Sequence, residues 1–213
     1  DTRSYEIKFA ENEFENVARC GEIGYLPPIN PSMFITVASI SMKDEDYDIK
    51  KKTVAGSGEN VYASLNNLYI AETNYDYGVV TEVVAAGTEP RRRMGELFEN
   101  TIVHKFALDD GEILYQGEGE VPGSVLNQFS MDEYGDHFRI ATTVGHVRRE
   151  GGGSTNNVYV LDEDLDVVGE LVGLAPGERI YSARFMGDRG YLVTFKKVDP
   201  LFVIDLSNPR NPN

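Results

Sequence analysis

Short runs in which hydrophobic and polar residues alternate make up much of this chain, and glycine, asparagine and aspartate separate the runs. Alternation with a period of two is typical of a β-strand with one buried face. Three segments consist of two such runs joined by a tight polar turn, which is the layout of a β-hairpin. These predicted hairpins are residues 61–72 (VYASLNNLYIAE), 128–143 (QFSMDEYGDHFRIATT) and 181–195 (YSARFMGDRGYLVTF).

Each predicted hairpin is followed by an apolar strand that ends in an aspartate-bearing turn. The three endings are Leu108-Asp109, Leu161-Asp162 and Ile204-Asp205. A further strand follows the first two, at residues 112–120 (EILYQGEGE) and 167–172 (VVGELV). A recurring unit of four antiparallel strands is the blade of a β-propeller. We therefore predict an all-β, propeller-like fold of about three four-stranded blades, with boundaries near residues 60, 125 and 178.

The N-terminal part of the chain continues this pattern upstream. Residues 34–42 (FITVASISM) and 49–56 (IKKKTVAG) are predicted to be the third and fourth strands of an earlier blade. The sequence thus predicts a partial propeller domain over residues 34–213 and an N-terminal extension over residues 1–33.

One short helix is predicted within the extension, over residues 10–20 (AENEFENVARC). Val17 and Ala18 follow Phe14 by three and four residues, which is the spacing of one helix face.

The number of blades raises the question of ring closure. Closed propellers have four to eight blades, and the third blade here stops after residues 202–206, one strand short. We expect the chain to be a piece of a larger ring whose end blades expose strand edges. Exposed edges recruit other strands, so self-association is expected unless residues 4–9 cover one edge.

Composition and charge narrow the classes of partner. The chain has 35 acidic and 20 basic residues, a net charge of −15 and a hydrophobic fraction of 41%. Such a surface repels phosphate backbones, which argues against nucleic acid as a partner. No apolar run approaches the roughly 18 residues of a membrane helix, so no membrane span is predicted. The single cysteine, Cys20, excludes an internal disulfide.

One basic run, Arg91-Arg92-Arg93, is predicted to lie in the linker between the second and third strands of the first blade. It is either a solvated loop, which we favour, or a contact for an anion or a partner.

Six motifs in order resemble a known family. They are residues 127–133 (NQFSMDE), 139–143 (RIATT), 156–162 (NNVYVLD), 178–185 (ERIYSARF), 191–195 (YLVTF) and 199–209 (DPLFVIDLSNP). Together they resemble secreted, mainly archaeal and bacterial proteins with a C-terminal β-propeller domain distantly related to WD-repeat propellers. The resemblance implies a propeller fold and a secreted or cell-surface location. It implies no activity and no catalytic residues, and this chain has no tryptophan for a Trp-Asp signature.

Catalytic and metal-binding motifs are sparse. His104, His137 and His146 fall at different positions of the repeat, so no zinc site is predicted. No nucleophile elbow or phosphate-binding glycine loop occurs. The pair Asp132-Glu133 is interpreted as the solvated tip of a hairpin.

The segment LDEDLDVVG begins like a calcium loop, with Asp162, Asp164 and Asp166 alternating. It lacks the turn glycine and the final glutamate of such a loop. Two alternatives stay open, a calcium site or a charged hairpin turn with Leu165 packed inward. Calcium is the one cofactor that the sequence suggests.

Propellers expose loops at the ends of their blades, and ligand-binding residues are expected there. Tyr75 and Tyr77 after the first hairpin, Arg184 on an inner strand and Lys196 after another strand are the candidates. Arg184 has an alternative role, an ion pair with a blade carboxylate inside the channel.

The sequence favours a non-catalytic, extracellular propeller that binds a protein or carbohydrate ligand. The alternative is a propeller hydrolase or lyase that acts on peptide or carbohydrate through carboxylates at the channel mouth.

Overall fold

The computed structural model describes residues 6–10, 13–16, 18, 21, 23–25, 34–40, 49–55, 58–82, 91–147, 153–195 and 200–213. Side chains are described for residues 18, 21, 23, 34–40, 49–54, 58–75, 99–147, 153–195 and 200–213. Within these residues the backbone is almost entirely β-strand, arranged in five sheets. The described part contains no helix with the length and hydrophobicity of a membrane span.

Two small sheets form the N-terminal part. Strands β1 (Glu6–Ala10) and β2 (Glu13–Asn16) make an antiparallel hairpin. The second sheet has the order β3-β5-β4, with β3 (Gly24–Tyr25), β4 (Phe34–Ile40) and β5 (Ile49–Ala55). Its strands β4 and β5 are the predicted antiparallel pair. Strand β3 runs parallel to β5 over two residues, a pairing that the sequence did not predict.

The helix predicted over residues 10–20 is wrong, because β2 occupies residues 13–16. The segments EIKFA and EFEN alternate polar and apolar residues with a period of two, and they pair with each other. Three apolar residues were too few to separate a helical spacing from this alternation.

The first complete blade consists of β6 (Asn60–Ala63), β7 (Asn67–Glu82), β8 (Arg91–Asp109) and β9 (Glu112–Pro122). Its strands are antiparallel and follow the chain order. Pairing of β8 with β9 stops at Asn100, whereas β7 and β8 continue as a two-stranded ribbon to Glu82 and Arg91. Residues 91–93 therefore lie in a strand, and their predicted position in a linker is wrong.

The second blade has a divided inner strand. Strands β10 (Ser124–Val125) and β11 (Met131–Tyr134) both pair with β12 (His137–Gly145), and a 3-10 turn at Gln128–Ser130 separates them. The Asn127 side chain caps this turn by accepting the N–H of Phe129 at 3.0 Å. Strands β13 (Ser154–Leu161) and β14 (Val167–Leu174) complete the blade.

The third blade has three strands in the described residues, β15 (Arg179–Met186), β16 (Arg189–Phe195) and β17 (Leu201–Asp205). The predicted antiparallel blades, the last of them one strand short, are thus confirmed. On the outer side of β17, the backbone of Asp205 exchanges two hydrogen bonds with Asn213, of 2.6 and 3.1 Å.

Two of the aspartate-bearing turns fasten a blade to the preceding one. In the turn after β13, the Asp162 carboxylate accepts the N–H groups of Asp164 and Asp166 at 3.1 and 2.9 Å. Leu165 in this turn is buried and left-handed, with φ of 66°. A Cβ added to Gly119 of β9 would overlap the Leu165 carbonyl and lie 2.7 Å from its Cβ. Glycine at this position is therefore what lets the turn approach β9.

The turn after β17 repeats this arrangement. The Asp205 carboxylate accepts the N–H of Ser207 at 2.9 Å, and hydrogen bonds from Ser207 hold the Asp205 pKa below its usual value. A Cβ added to Gly169 of β14 would overlap the Pro209 carbonyl.

Apolar side chains fill the spaces between the blades. Tyr69 of the first blade stacks on Phe138 of the second, with ring centroids 4.2 Å apart. Around them lie buried side chains of both blades, including Val103, Val121, Ile140, Tyr159 and Leu161. A second cluster joins the second and third blades through Val158, Val160, Ile180, Leu192 and Ile204. Burial of these apolar side chains is the main contribution that stabilises the fold.

A polar network joins the inner strands of the three blades. Arg139, 3% exposed, forms an ion pair with Asp132 through Nη2 and donates from Nε to the same carboxylate at 3.0 Å. Its Nη1 donates to the Gly187 carbonyl of the third blade at 2.6 Å. From the first blade, the Tyr62 hydroxyl lies 3.5 Å from Asp132 Oδ1 and accepts the N–H of Glu133 at 3.1 Å.

The interpretation of Asp132-Glu133 as a solvated tip is wrong. Both residues lie in β11, and Glu133 Oε1 accepts a hydrogen bond of 2.8 Å from the Asn67 side chain of the first blade. The sequence separates these partners by many residues, so only the packing of the blades identifies the contact.

Replacement of Gly119 by alanine is expected to destabilise the fold by about 1–3 kcal/mol, because the methyl group overlaps the Leu165 backbone. Gly117 lies on the same strand and is the matched control, since a Cβ added there meets nothing within 4 Å. Chemical denaturation of the two variants measures the difference. Equal stability of Gly119→Ala and Gly117→Ala would contradict the proposed fastening.

Replacement of Asp132 by asparagine is expected to cost about 3 kcal/mol, because it leaves the Arg139 charge buried without a carboxylate. Asp136, exposed in the next turn, is the control, and Asp136→Asn should change the free energy of unfolding by less than about 0.5 kcal/mol. Urea unfolding curves of both variants provide the measurement. If Asp132→Asn lowers the free energy of unfolding by less than about 1 kcal/mol, the network is dispensable.

Candidate functional site

The two ends of the blades differ in the segments that they carry. The inner strand of each blade begins at one end, which we call the loop end. Because neighbouring strands are antiparallel, the connections from β12 to β13 and from β14 to β15 also lie at the loop end. The hairpin turns and the aspartate-bearing turns lie at the opposite end.

A cleft of about 680 Å³ opens at the loop end and is shared by all three blades. Its volume falls in the range of ligand-binding sites in proteins. Most lining residues lie in or beside the ends of β10, β12, β15 and β16, whereas Tyr75 and Glu99 come from the middle of β7 and β8. The lining residues are Tyr75, Glu99, Ser124, Val125, Leu126, Thr143, Gly145, His146, Val147, Arg179, Ile180 and Phe195.

A buried carboxylate and an exposed imidazole meet in this cleft. The Glu99 side chain is 6% exposed, and its Oε1 lies 3.3 Å from Nε2 of His146, which is 74% exposed. Gly145 precedes His146 with φ of 75°, and a Cβ there would overlap the Gly153 carbonyl, so the strand end requires glycine at this position. The cleft therefore holds an acidic group beneath a histidine that solvent and ligands can reach.

Hydrogen bonds between blades hold the floor of the cleft in place. The Thr143 hydroxyl donates to Asn156 Oδ1 at 2.8 Å and accepts the N–H of Ile180 at 3.2 Å, which joins the second blade to the third. Thr101 and Thr142 donate to the carbonyls of Gly123 and Pro122, at 2.6 and 2.7 Å. These bonds position the ends of the strands before any ligand binds.

The rim of the cleft is apolar and partly exposed. Tyr75 is 51% and Phe195 48% exposed, and Leu126 and Val147 are exposed to a similar degree. Arg179, also exposed, stands at the start of β15 and pairs in register with Phe195. The cleft thus offers hydrophobic contact area together with charged groups of both signs.

A second cavity of about 330 Å³ lies along the inner strands. Tyr62, Asp132 and Arg184 occupy the same position in their hairpins. Each lies two residues before the last residue that pairs across the hairpin turn, which is Ser64, Tyr134 or Met186. All three line this cavity, so equivalent positions of the three blades converge there. The remaining lining residues are Val61, Ala63, Gln128, Phe129, Met131 and Phe185.

The predicted ligand-binding residues go to different places. Tyr75 lines the cleft, but it lies within β7 and not after the first hairpin as predicted. Arg184 lines the inner cavity, where its guanidinium lies 3.7 Å above the Phe129 ring. Tyr77 lies in β7 with its side chain outside the described part, and Lys196 lies outside the described residues. Their roles in binding stay predictions.

The acidic turn at Asp162, Asp164 and Asp166 has the geometry of a hairpin turn with Leu165 packed inward. In the described part of the chain, no three His, Cys, Asp or Glu side chains are placed to share a metal ion. Calcium binding at this turn stays a prediction.

The three histidines lie apart. His104 is 2% exposed in β8, and burial lowers its pKa to about 4, although the Glu118 carboxylate lies 3.6 Å away. Because Glu118 is 41% exposed, water screens its charge. His104 is therefore neutral at physiological pH, and His146 is the histidine that a ligand can contact in the cleft.

Sequence reasoning missed Glu99, Arg179, Tyr62 and Asp132 as site residues. No local motif marks Glu99, whose neighbours FENT form an ordinary strand. The sequence does contain a signal for the inner cavity. When the three hairpins are aligned on their turns, Tyr62, Asp132 and Arg184 fall at the same position.

Comparisons with known proteins find archaeal relatives that match about half of this chain. A protein of Methanocaldococcus jannaschii named "Uncharacterized protein MJ1554" is 54% identical over 117 residues, which are 55% of this chain and 18% of the relative. A protein of Archaeoglobus fulgidus named "Uncharacterized protein" is 48% identical over 114 residues, 54% of this chain and 17% of that relative. The matched part thus spans less than a fifth of either relative. No solved structure matches the chain significantly.

A family model supports the propeller fold that the blades indicate. The model described as "Beta propeller domain" matches residues 2–213, nearly the whole chain. A propeller blade is a four-stranded antiparallel sheet, and the sheet of β6, β7, β8 and β9 has this form in chain order. This chain therefore belongs to the beta propeller domain family.

Proposed function

We propose that this chain is a non-catalytic β-propeller domain that binds a protein or carbohydrate ligand in the cleft at the loop end. The observation that carries the proposal is the cleft itself, about 680 Å³ in volume and lined by three blades. Its floor is held by hydrogen bonds between blades, so little conformational entropy is lost when a ligand binds.

The rim indicates how a ligand is held. Exposed aromatic rings such as Tyr75 and Phe195 can stack on a sugar ring or cover an apolar side chain. The carboxylate of Glu99 and the guanidinium of Arg179 then orient polar groups of the ligand, because a few placed charges give a site its specificity.

A location outside the cell or at its surface is part of the same proposal. It is supported by the resemblance to secreted propeller proteins and by the net charge of −15.

The pair Glu99 and His146 favours a second candidate, a hydrolase or lyase that acts on peptide or carbohydrate. A carboxylate that orients an accessible imidazole is a general acid–base arrangement. The two candidates differ in one result, since only an enzyme consumes the ligand that it binds.

A ligand of the cleft can be found with a glycan array and a displayed peptide library. For the best binder, Leu126→Asp should weaken the affinity at least about tenfold, because it places a charge on the apolar rim. Val167→Asp is the control, since Val167 is similarly exposed on β14 outside the cleft. Calorimetric titration gives the affinities. Equal losses in both variants, or none in Leu126→Asp, would contradict binding in the cleft, and turnover that His146→Gln abolishes would establish the enzyme.

Self-association is the remaining proposal, and β17 supports it. In the described residues its only strand neighbour is β16, and its Leu201 and Val203 are 61% and 53% exposed. Light scattering over a tenfold concentration range should show dimers, and Val203→Lys should shift the protein toward monomer, since a charged edge opposes strand addition. A monomer at every concentration would refute self-association.

A further inference from the structure

The Arg184 side chain is a cation with no carboxylate partner among the described residues. Its Nη1 donates to the Ala183 carbonyl at 3.0 Å, and its guanidinium lies 3.7 Å above the Phe129 ring. No described carboxylate forms an ion pair with it, although the chain carries 35 acidic residues. The channel ion pair considered from the sequence is replaced by this stacking contact.

Contact with the Phe129 ring restricts the position of the guanidinium, and among the described residues only Nη1 has a hydrogen-bond partner. A planar fork of donors matches the two oxygens of a carboxylate better than any other cationic side chain does. Because the stacked side chain is already oriented, it loses less entropy when it forms two parallel hydrogen bonds.

The surroundings complete a small site. Met131, Phe185 and Val61 contribute apolar surface to the cavity, and Tyr62 lines it as well, with its hydroxyl engaged by Asp132 and the Glu133 N–H. Asp132 also lines the cavity, but Arg139 neutralises its charge. The volume of about 330 Å³ suits one unit the size of a sugar acid or an amino acid.

We propose that the inner cavity binds the carboxylate of a small organic acid unit through Arg184 stacked on Phe129. The proposal goes beyond the function assigned to the cleft. The two cavities share no lining residue, so either can fail without the other.

Nuclear magnetic resonance titration of the full chain tests the proposal, with glucuronate and N-acetylglycine as probes. Glucose and N-acetylglycinamide are their uncharged counterparts. At least one acid should shift the Arg184 side-chain and Phe129 signals with a Kd of about 1 mM, and the uncharged probes should not. The acid that binds more tightly identifies the source of the carboxylate, a sugar or a peptide end.

Three variants locate the binding. Arg184→Gln should weaken it at least about tenfold, and Arg184→Lys should weaken it several-fold, because lysine keeps the charge but lacks the fork. Arg189→Gln is the control and should bind normally, since Arg189 is the first residue of β16, lies beside Asp188 and is outside the cavity. Binding that survives Arg184→Gln, equal binding of charged and uncharged probes, or no shift at about 50 mM acid would overturn the proposal.

Discussion

The close contact between a turn of one blade and a glycine of the preceding blade determines how the blades are arranged. Leu165 presses its backbone on Gly119, and Pro209 presses on Gly169. Any side chain at either glycine would separate two neighbouring blades. Asp162 and Asp205 hold these turns in shape by accepting backbone N–H groups. The aspartates that mark the repeat in the sequence therefore act at the interface between blades.

Both cavities depend on that spacing. Once the outer strands are fastened, the inner strands approach closely enough for Arg139 to reach Gly187 of the next blade and for Tyr62 to reach Asp132. The gap that remains at the loop end is the cleft, and the gap along the inner strands is the second cavity. Both cavities are thus spaces between blades, which no single blade contains.

The sequence predicted what is local and missed what is not. The hairpins and aspartate turns follow from alternation and turn residues, which short segments contain completely. The prediction of a helix over residues 10–20 was wrong because the few apolar residues there fit the period of a strand as well as that of a helix. The ribbon beyond Asn100 was missed because a glycine and an arginine run resemble a loop. Glu99 and His146 belong to different blades, so only the packed structure brings them within 3.3 Å.

The three hairpins also show where sequence is free to change. The second strand of each keeps an apolar residue at one position, Ile70, Ile140 and Leu192, and all three are almost fully buried. On the inner strands the equivalent positions hold Tyr62, Asp132 and Arg184, which differ in charge and in chemistry. Close packing restricts the first set to apolar residues, whereas the second set borders an open cavity and escapes that restriction. The inner strands therefore carry the positions whose chemistry differs from blade to blade.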